Sequence, residues 1–248
     1  MKLALPGKPK PYLMAHRGNS VACPENTRAA FERALADGAD IIETDVHVTA
    51  DGAFACIHDA TVDRTTDGHG AVAEMTMADI RQLSAHYDRP EFAGERVLTL
   101  EEVLALIPAD CALALELKCD RFLEAEVCRR MLAQVDAAGA RQRFVVISFN
   151  LERLRAVQAV APDIPIGWIT PSRYFPRPDV QFHAPLWPIL ALNPFYVRAA
   201  HRRGQLVCPS DPAPFKRLWL YYRYRCDVVM ANDTAALRAA MDRRPTWF

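Results

Sequence analysis

Short apolar runs alternate with amphipathic segments along most of the chain. The runs predict parallel strands near residues 12–17, 40–47, 111–118, 143–149, 164–169, 179–184, 205–210 and 227–232. Between most of them, apolar residues recur at the three- and four-residue spacing of a helix. This alternation is typical of repeated βα units. Eight such strands predict an α/β protein with a closed (β/α)8 TIM barrel, built as one domain over residues 1–248.

Local sequence signals predict where several helices begin and end. The first helix is predicted over about 25–37 and ends at Gly38, a residue that readily adopts the left-handed conformation. Thr99 and Glu102 form a capping box that opens a helix ending by Pro108. Two further predicted N-caps are Asn150, before Leu151, and Asn193, before Pro194 in a helix closed by Gly204.

One long segment interrupts the βα rhythm after the second barrel strand. Asp51-Gly52 lies between two apolar runs, which is a hairpin signal, so a short strand over residues 53–57 is expected to pair antiparallel with the second strand. Thr76 is expected to cap a short helix further on. Residues 50–97 therefore read as an insertion on the rim of the barrel, where loops acquire specificity.

Composition narrows the classes of partner. The 248 residues are 51% hydrophobic and 24% charged, and 30 Lys and Arg balance 30 Asp and Glu. A formal net charge of zero gives no global field toward nucleic acid, and no apolar run approaches the length of a membrane span. A small-molecule substrate, no nucleic-acid partner and no stable membrane insertion are predicted. The oligomeric state stays open.

The cysteines and the N-terminal residues indicate in which cellular compartment the protein is expected. Seven cysteines without a CxxC pair argue against a disulfide framework and are expected to be reduced and mostly buried. Residues 1–10 have too short an apolar stretch, and too much proline, for a signal peptide. We therefore expect a cytoplasmic protein.

Acidic residues lie at the ends of two predicted barrel strands. Glu43 and Asp45 are two apart, as are Glu116 and Lys118, so each pair shares one strand face. Three clustered carboxylates repel one another unless a cation lies among them, and an all-oxygen set suits one Mg²⁺ or Ca²⁺. The alternative is an internal salt-bridge cluster with Lys118 and Arg17.

Two histidines border the same carboxylates. His16 and His58 each follow a predicted strand, and such a pair can divide the work of general base and general acid. The Arg17 guanidinium is suited to the paired oxygens of a phosphate. Lys118 would contact the phosphate too, or hold Glu43 and Glu116. His183, on a late strand, could also enter the pocket.

Together these residues resemble the glycerophosphodiester phosphodiesterase family, a (β/α)8-barrel group related to the phosphatidylinositol-specific phospholipases C. The resemblance runs in family order over roughly the first 150 residues. Its blocks are Ala15-His16-Arg17-Gly18, Pro24-Glu25-Asn26-Thr27, Glu43-Thr44-Asp45-Val46, Ile57-His58-Asp59, Asp63-Arg64-Thr65-Thr66, Leu98-Thr99-Leu100-Glu101-Glu102-Val103, Glu116-Leu117-Lys118 and Ser148-Phe149-Asn150.

The resemblance implies a metal-dependent hydrolase. By this similarity Glu43, Asp45 and Glu116 hold a divalent ion, and His16 and His58 form the acid–base pair. A glycerophosphodiester such as glycerophosphocholine or glycerophosphoethanolamine would be hydrolysed to sn-glycerol 3-phosphate and an alcohol. The expected setting is lipid and glycerol metabolism.

The second half departs from the family pattern. Where the family has a Trp-Thr-Val-Asn-like block this chain has residues 207–212, and where it has Thr-Asp before a proline this chain has Asn232-Asp233-Thr234. Two rivals follow. One is a lysophospholipid-directed phospholipase D or a cyclising phosphodiesterase on the same site, with the aromatic run 219–224 as a lipid surface or as helix packing. The other is a non-catalytic barrel used for binding.

Overall fold

The computed structural model describes residue 5 and residues 7–243. Within that part, ten strands and nine α-helices follow one another. They are β1 (Tyr12–His16), α1 (Arg28–Ala36), β2 (Ile41–Val48), β3 (Phe54–Cys56), α2 (Met77–Ile80), β4 (Leu98–Thr99), α3 (Leu100–Leu106), β5 (Ala112–Leu117), α4 (Ala125–Ala137), β6 (Phe144–Ser148), α5 (Leu151–Val160), β7 (Ile166–Thr170), β8 (Phe182–Pro185), α6 (Trp187–Leu192), α7 (Tyr196–His201), β9 (Leu206–Val207), α8 (Leu218–Tyr224), β10 (Val228–Ala231) and α9 (Thr234–Asp242).

Eight of the strands form the predicted parallel barrel. Their order is β10-β1-β2-β5-β6-β7-β8-β9, and every neighbouring pair in it is parallel. The ring closes between β9 and the residue before β10, because Asp227 donates its backbone N–H to Val207 O at 3.0 Å. The predicted (β/α)8 architecture is therefore confirmed. The domain limits of 1–248 stay a prediction, because both ends, including half of the segment tested for a signal peptide, lie outside the described residues.

Side chains alternate between the two faces of each barrel strand. One set packs inside the barrel and the other packs between the strands and the helices. Inside lie Met14, Ile41, Ala114, Ile147 and Phe182; outside lie Leu13, Ile42, Leu113, Val146 and Val207. None of the described helices is long and apolar enough to cross a membrane. All seven cysteines are free, and six of them are buried.

The rim insertion has the predicted hairpin. β3 pairs antiparallel with the end of β2, with His47 opposite Ala55, and β3 also pairs with β4, a strand that the sequence did not predict. Thr76 caps α2 and Thr99 caps α3, each through a complete capping box. The hairpin folds back over the carboxyl end of β2 and so brings residue 58 to the barrel mouth.

Two predicted helix starts are wrong. The first helix begins at Arg28, three residues late, because Thr27 is its N-cap and accepts from Ala30 N. Asn193 is not the N-cap of α7, which starts at Tyr196. Its side-chain oxygen instead accepts from Phe195 N at 3.1 Å, in a turn that connects α6 with α7. Asn150 does cap α5, and Gly38 follows α1 at a φ of 84°, both as predicted.

Asp227 connects three strands at the closure of the barrel. Its carboxylate accepts hydrogen bonds from Lys10 Nζ at 2.5 Å, His201 Nε2 at 2.8 Å and Val207 N at 2.9 Å, and its backbone oxygen accepts from Tyr12 N. Burial raises the pKa of this carboxyl, but the bonds from His201 and Lys10 outweigh burial and hold the pKa below its usual range. Asp227 is thus charged where β1, β9 and β10 meet.

Replacing Asp227 with asparagine is expected to lower the free energy of unfolding by about 1–3 kcal/mol at neutral pH, because a buried charge-assisted network is broken. A depressed pKa stabilises the fold above the unfolded pKa, and that contribution disappears as the pH falls through the folded value. The difference from wild type should therefore shrink below about pH 4. Thermal unfolding from pH 7 to pH 3 measures it, with the exposed Asp242→Asn as control. A difference independent of pH would contradict the assignment.

Candidate active site

The predicted site residues come together at the carboxyl end of β1, β2 and β5. The register places His16 beside Glu43 and Asp45 beside Glu116. His58 reaches the same place from the hairpin after β3. A single cavity of about 170 Å³ is lined by His16, Arg17, Glu43, His58, Glu116 and Lys118. Strand parity therefore gathers the residues as the sequence predicted.

A tight turn after β1 sets the direction of Arg17. Arg17 and Gly18 have φ values of 58° and 80°. A Cβ on Gly18 would lie 2.6 Å from the backbone carbon of Ala30, so the turn packs against α1 too closely for any other residue. In this conformation Arg17 N donates to Glu43 Oε2 at 2.9 Å. The turn thus positions one carboxylate as well as the guanidinium.

Glu43, Asp45 and Glu116 form a buried carboxylate cluster. Each offers an oxygen within 4.8 Å of the other two. Glu43 Oε1 and Asp45 Oδ1 are buried without a hydrogen-bond partner among the described residues. Burial, followed by the charges of Asp45 and Glu116, raises the pKa of Glu43 well above its usual range. In this part of the chain Glu43 Oε1 has no donor near it and Asp45 Oδ1 accepts no hydrogen bond, although the Lys118 ammonium lies 3.4 Å away. Two such desolvated oxygens fit a bound cation, and oxygen-only ligands fit Mg²⁺ or Ca²⁺.

Two cations adjoin the cluster without neutralising it. Lys118 Nζ lies 2.9 Å from Glu116 Oε1 and 3.4 Å from Asp45 Oδ1. Arg17 Nε lies 3.1 Å from Asp45 Oδ2, and its Nη1 donates to Glu25 Oε1 at 3.0 Å. A salt-bridge cluster is therefore present in part. It leaves Glu43 without a side-chain cation partner among the described residues, so the metal hypothesis retains its support.

His16 is held by a residue on the last strand. Its Nδ1 lies 2.7 Å from Asn232 Oδ1, and because that oxygen can only accept, Nδ1 carries the proton. Burial, together with the charge of Arg17, lowers the pKa of His16. The ring is therefore neutral at pH 7, and Nε2 keeps a lone pair that can accept a proton.

His58 belongs to a charged network on the insertion side. Its Nδ1 donates to Asp59 Oδ1 at 2.6 Å. Arg64 donates through Nε to Asp59 Oδ2 at 2.6 Å and through Nη2 to Glu25 Oε1 at 2.8 Å. Hydrogen bonds from Arg64 hold the pKa of Asp59 well below its usual range, so the carboxylate facing His58 is permanently charged. That carboxylate fixes Nδ1 of His58 as a donor and orients the ring.

The sequence prediction gave no role to Glu25, Asp59 and Arg64 of the network around His58, nor to Asn26 and Asn232. Asn26, at a φ of 57°, donates through Nδ2 to Asp45 Oδ2 at 3.0 Å and accepts from Thr44 Oγ1. Asn232 holds His16. Asn26 stands in one of the blocks that carry the family resemblance, so a signal existed. Asn232 was read only as a departure from the family pattern, and nothing in the sequence connected it with residue 16.

His183 does not enter the pocket, which corrects the sequence prediction. Its neighbours Phe182 and Ala184 point into the barrel, so His183 points outward. There it meets the ring of Tyr196 on α7, with centroids 6.0 Å apart at 87°. Burial lowers its pKa to about 4. The remaining cavity wall is apolar and consists of Met14, Ile147, Phe149, Ile169, Phe182, Ala184, Cys208 and Met230, with Ser210 beside it.

Comparison with known proteins points to one family. The model of the glycerophosphoryl diester phosphodiesterase family matches residues 16–208. A glycerophosphodiester phosphodiesterase of Caldanaerobacter subterraneus subsp. tengcongensis is 42% identical over 160 residues, 64% of this chain and 66% of that protein. A Bacillus subtilis relative is 39% identical over 163 residues, 64% of this chain and 65% of its own length. The matched part thus spans just under two thirds of these relatives.

Solved structures agree over nearly the whole chain. A glycerophosphodiester phosphodiesterase of Agrobacterium tumefaciens superposes with a TM-score of 0.82 at 26% identity, covering 92% of this chain and 99% of that one. An Oleispira antarctica phosphodiesterase, in complex with the product sn-glycerol-3-phosphate, gives 0.81 at 25% identity, covering 94% and 97%. The range that the family model matches covers positions 16, 43, 45, 58 and 116. The chain therefore belongs to the glycerophosphoryl diester phosphodiesterase family.

Proposed function

We propose that the protein hydrolyses glycerophosphodiesters, such as glycerophosphocholine or glycerophosphoethanolamine, to sn-glycerol 3-phosphate and an alcohol. The observation that carries this proposal is the buried carboxylate cluster, with two oxygens lacking donors, bordered by two histidines in one cavity. The complex of the Oleispira antarctica relative with sn-glycerol-3-phosphate supports the product. Family membership supports the reaction class.

Glu43, Asp45 and Glu116 would hold one divalent cation. When bound, Mg²⁺ or Ca²⁺ supplies positive charge that stabilises the developing charge on the phosphodiester. Asn26 and Lys118 keep Asp45 and Glu116 oriented through the contacts described above. Arg17 and Lys118 both line the cavity beside the cluster, where each can pair with a phosphate oxygen. Each also contacts two carboxylates, so each can hold the cluster as well.

His16 is the general base in this mechanism. Asn232 fixes the proton on Nδ1, so Nε2 can take the proton of the nucleophile, which is water or the 2-hydroxyl of the substrate's own glycerol. As the new P–O bond forms, the bond between phosphorus and the alcohol oxygen breaks. Attack by water gives sn-glycerol 3-phosphate directly, whereas attack by the 2-hydroxyl gives a cyclic phosphate that a water molecule then opens. The low pKa of His16 keeps it unprotonated over the neutral range.

His58 is the general acid. Asp59 accepts from Nδ1 and orients the ring, which leaves Nε2 to give a proton to the departing alkoxide. Arg64 keeps Asp59 ionised and ties it to Glu25, which in turn contacts Arg17. The acid and the phosphate-binding arginine therefore belong to one hydrogen-bonded network.

A coupled assay tests the proposed function. Release of glycerol 3-phosphate from glycerophosphocholine is followed with added Mg²⁺ or Ca²⁺, then after EDTA, then after the ion is restored. We expect turnover that EDTA abolishes and the ion recovers. Absence of turnover with every glycerophosphodiester and ion tried would favour the non-catalytic barrel. Turnover that EDTA leaves unchanged would refute the metal-dependent mechanism.

Asn232→Leu is expected to lower kcat by about 10- to 100-fold with little change in KM, because His16 loses the bond that fixes its tautomer. Asn232→Asp would place a carboxylate against Nδ1 and raise the pKa of His16. The base must be neutral, so the acid limb of the pH–rate profile should move to higher pH in that variant. Profiles of kcat/KM against pH measure both effects. An acid limb that Asn232→Asp leaves in place would contradict the role of His16 as base.

A phospholipase D acting on lysophospholipids is the second candidate. The apolar wall of the cavity favours it, and Phe149 extends that wall to the surface, where it is 58% exposed. The run 219–224 supports it less, because Leu220 and Tyr221 on α8 are buried and none of the run lines the active cavity. Turnover of lysophosphatidylcholine relative to glycerophosphocholine separates the two candidates.

A further inference from the structure

Large apolar side chains are exposed mainly on one face of the barrel. Among the described residues ten such side chains are exposed, and seven of them lie in the connections that directly follow a barrel strand. These seven are Val21, Leu123, Phe149, Tyr174, Phe175, Leu186 and Phe215; the others are Leu192 at the end of α6, Phe195 in the turn before α7 and Trp219 on α8. Single exposed apolar residues are ordinary, but their concentration around the mouth of the site is not.

Four of them form what we call the apolar rim: Tyr174, Phe175, Leu192 and Phe195. They belong to the loop after β7 and to the turn that joins α6 with α7. Asn193 connects the two segments, because its Nδ2 donates to Tyr174 O at 2.5 Å while its Oδ1 accepts from Phe195 N. The side chains are 50–71% exposed although their backbones are held in place. These two hydrogen bonds join the two segments, so the four side chains form one surface.

The apolar rim is linked to a residue of the active cavity. Phe149, which lines that cavity, accepts a hydrogen bond through its backbone oxygen from Trp168 Nε1 at 3.1 Å. The Trp168 ring packs on the outer face of the barrel and lies under the guanidinium of Arg177, 5.6 Å from its centroid, in the loop that carries Tyr174 and Phe175. The loop of the rim and the residue at the edge of the cavity are thus joined through Trp168.

The unpaired charges near the rim are positive, because Asp179 in the same loop pairs with Arg177. No acidic residue occurs between Asp179 and Asp211. Arg173, next to Tyr174, and Arg198, in the first turn of α7, are exposed and form no ion pair within the described part of the chain. Aromatic and aliphatic side chains flanked by unpaired arginines suit the interface of a membrane that contains anionic lipids.

We propose that the apolar rim binds the surface of an anionic phospholipid bilayer, with the mouth of the site turned toward the lipid. Phe175 and Phe195 enter the headgroup region while Arg173 and Arg198 pair with lipid phosphates. The part of the inference that concerns the substrate rests on the proposed function. A lysophospholipid would enter the site with its headgroup toward the carboxylate cluster, and its acyl chain would lie along the wall that ends at Phe149.

Co-sedimentation of the full chain with vesicles tests the surface. Vesicles of equal parts phosphatidylcholine and phosphatidylglycerol should bind wild type, and Phe175→Ser with Phe195→Ser should reduce the affinity at least about tenfold. Trp219→Ser is the matched control, since Trp219 is 60% exposed but lies outside the rim. It should bind like wild type, and pure phosphatidylcholine should bind more weakly. No binding by wild type, equal binding by the double variant, or an equal loss in the control would overturn the proposal. So would self-association in place of vesicle binding.

Turnover of water-soluble glycerophosphocholine separates the two proposals. The double variant should keep wild-type turnover of this substrate, which also shows that it is folded, and should lose activity on lysophosphatidylcholine presented in the vesicles. If wild type binds vesicles but hydrolyses no phosphodiester, the proposed function fails and the surface stands. If glycerophosphocholine is hydrolysed but vesicles are not bound, the surface fails and the proposed function stands.

Discussion

Replacement of Glu43 by glutamine is expected to reduce turnover of glycerophosphocholine by about 10³-fold or more, because a bound cation contributes several kcal/mol of charge stabilisation and each 1.36 kcal/mol is a factor of ten. Glutamine keeps the size of the side chain and can still accept from Arg17 N, but it removes one of the three charges that hold the ion. Turnover at saturating Mg²⁺ or Ca²⁺, together with calorimetric titration of the same ion, measures the loss.

Thermal unfolding of the same variant shows whether lost turnover comes from the metal site or from a folding defect. Glu43 is buried beside two other carboxylates, and this raises its pKa, so its ionised form destabilises the ion-free fold. Glu43→Gln should therefore unfold in EDTA at a temperature no lower than that of wild type. Glu126→Gln, on the exposed side of α4, is the control for the substitution itself. Wild-type turnover, or unchanged affinity for the ion, in Glu43→Gln would remove Glu43 from the metal site.

Replacement of either histidine by alanine should lower turnover of glycerophosphocholine by about 10²- to 10⁴-fold, the range for loss of a general acid or base. The two variants should differ once the alcohol is changed. A glycerophosphodiester of p-nitrophenol releases an acidic alcohol that needs no proton donor, so His58→Ala should recover most of its activity on it. His16→Ala should not, because the nucleophile still has to lose a proton. Steady-state rates on the two substrates measure this difference.

His69→Ala is the matched control for these substitutions. His69 lies in the same insertion as His58 and contacts Asp63, but its side chain is largely exposed and outside the cavity. It should retain wild-type rates on both substrates. The reverse result, in which the p-nitrophenol ester rescues His16→Ala and not His58→Ala, would exchange the two roles.

Local sequence signals correctly predicted the helix caps whose hydrogen-bond partners lie within a few residues. The capping boxes at Thr99 and Thr76 and the N-cap at Asn150 all form, because each is completed within three residues. Asn193 shows the limit of such signals. Its sequence fits an N-cap before a proline, but its side-chain amide bonds to Tyr174 O, nineteen residues away, and the helix starts later. A cap prediction cannot include a partner that the fold supplies.

Long-range contacts account for the other differences. Strand parity places Glu43 with Asp45 and Glu116 with Lys118 without knowledge of the fold, because side chains alternate along any strand. Parity alone did not say which face of β8 is the interior, and His183 proved to point toward the helices. Nor did it say that Lys118 would bind Asp45 rather than Glu43, which depends on the stagger of β2 against β5.

By itself the sequence determined the barrel, the insertion and the candidate chemistry of residues 16, 43, 45, 58 and 116, since periodicity, turn residues and residue type act within a few positions. Only the tertiary structure decided that Asn232, 216 residues away, holds His16 in one tautomer, because closure of the barrel brings the last strand against the first. The contacts of Asp59 with His58 and Arg64 span one and five residues, but they form only when the insertion folds over the barrel mouth. His16 thus acquires its chemistry from a partner that no local pattern specifies.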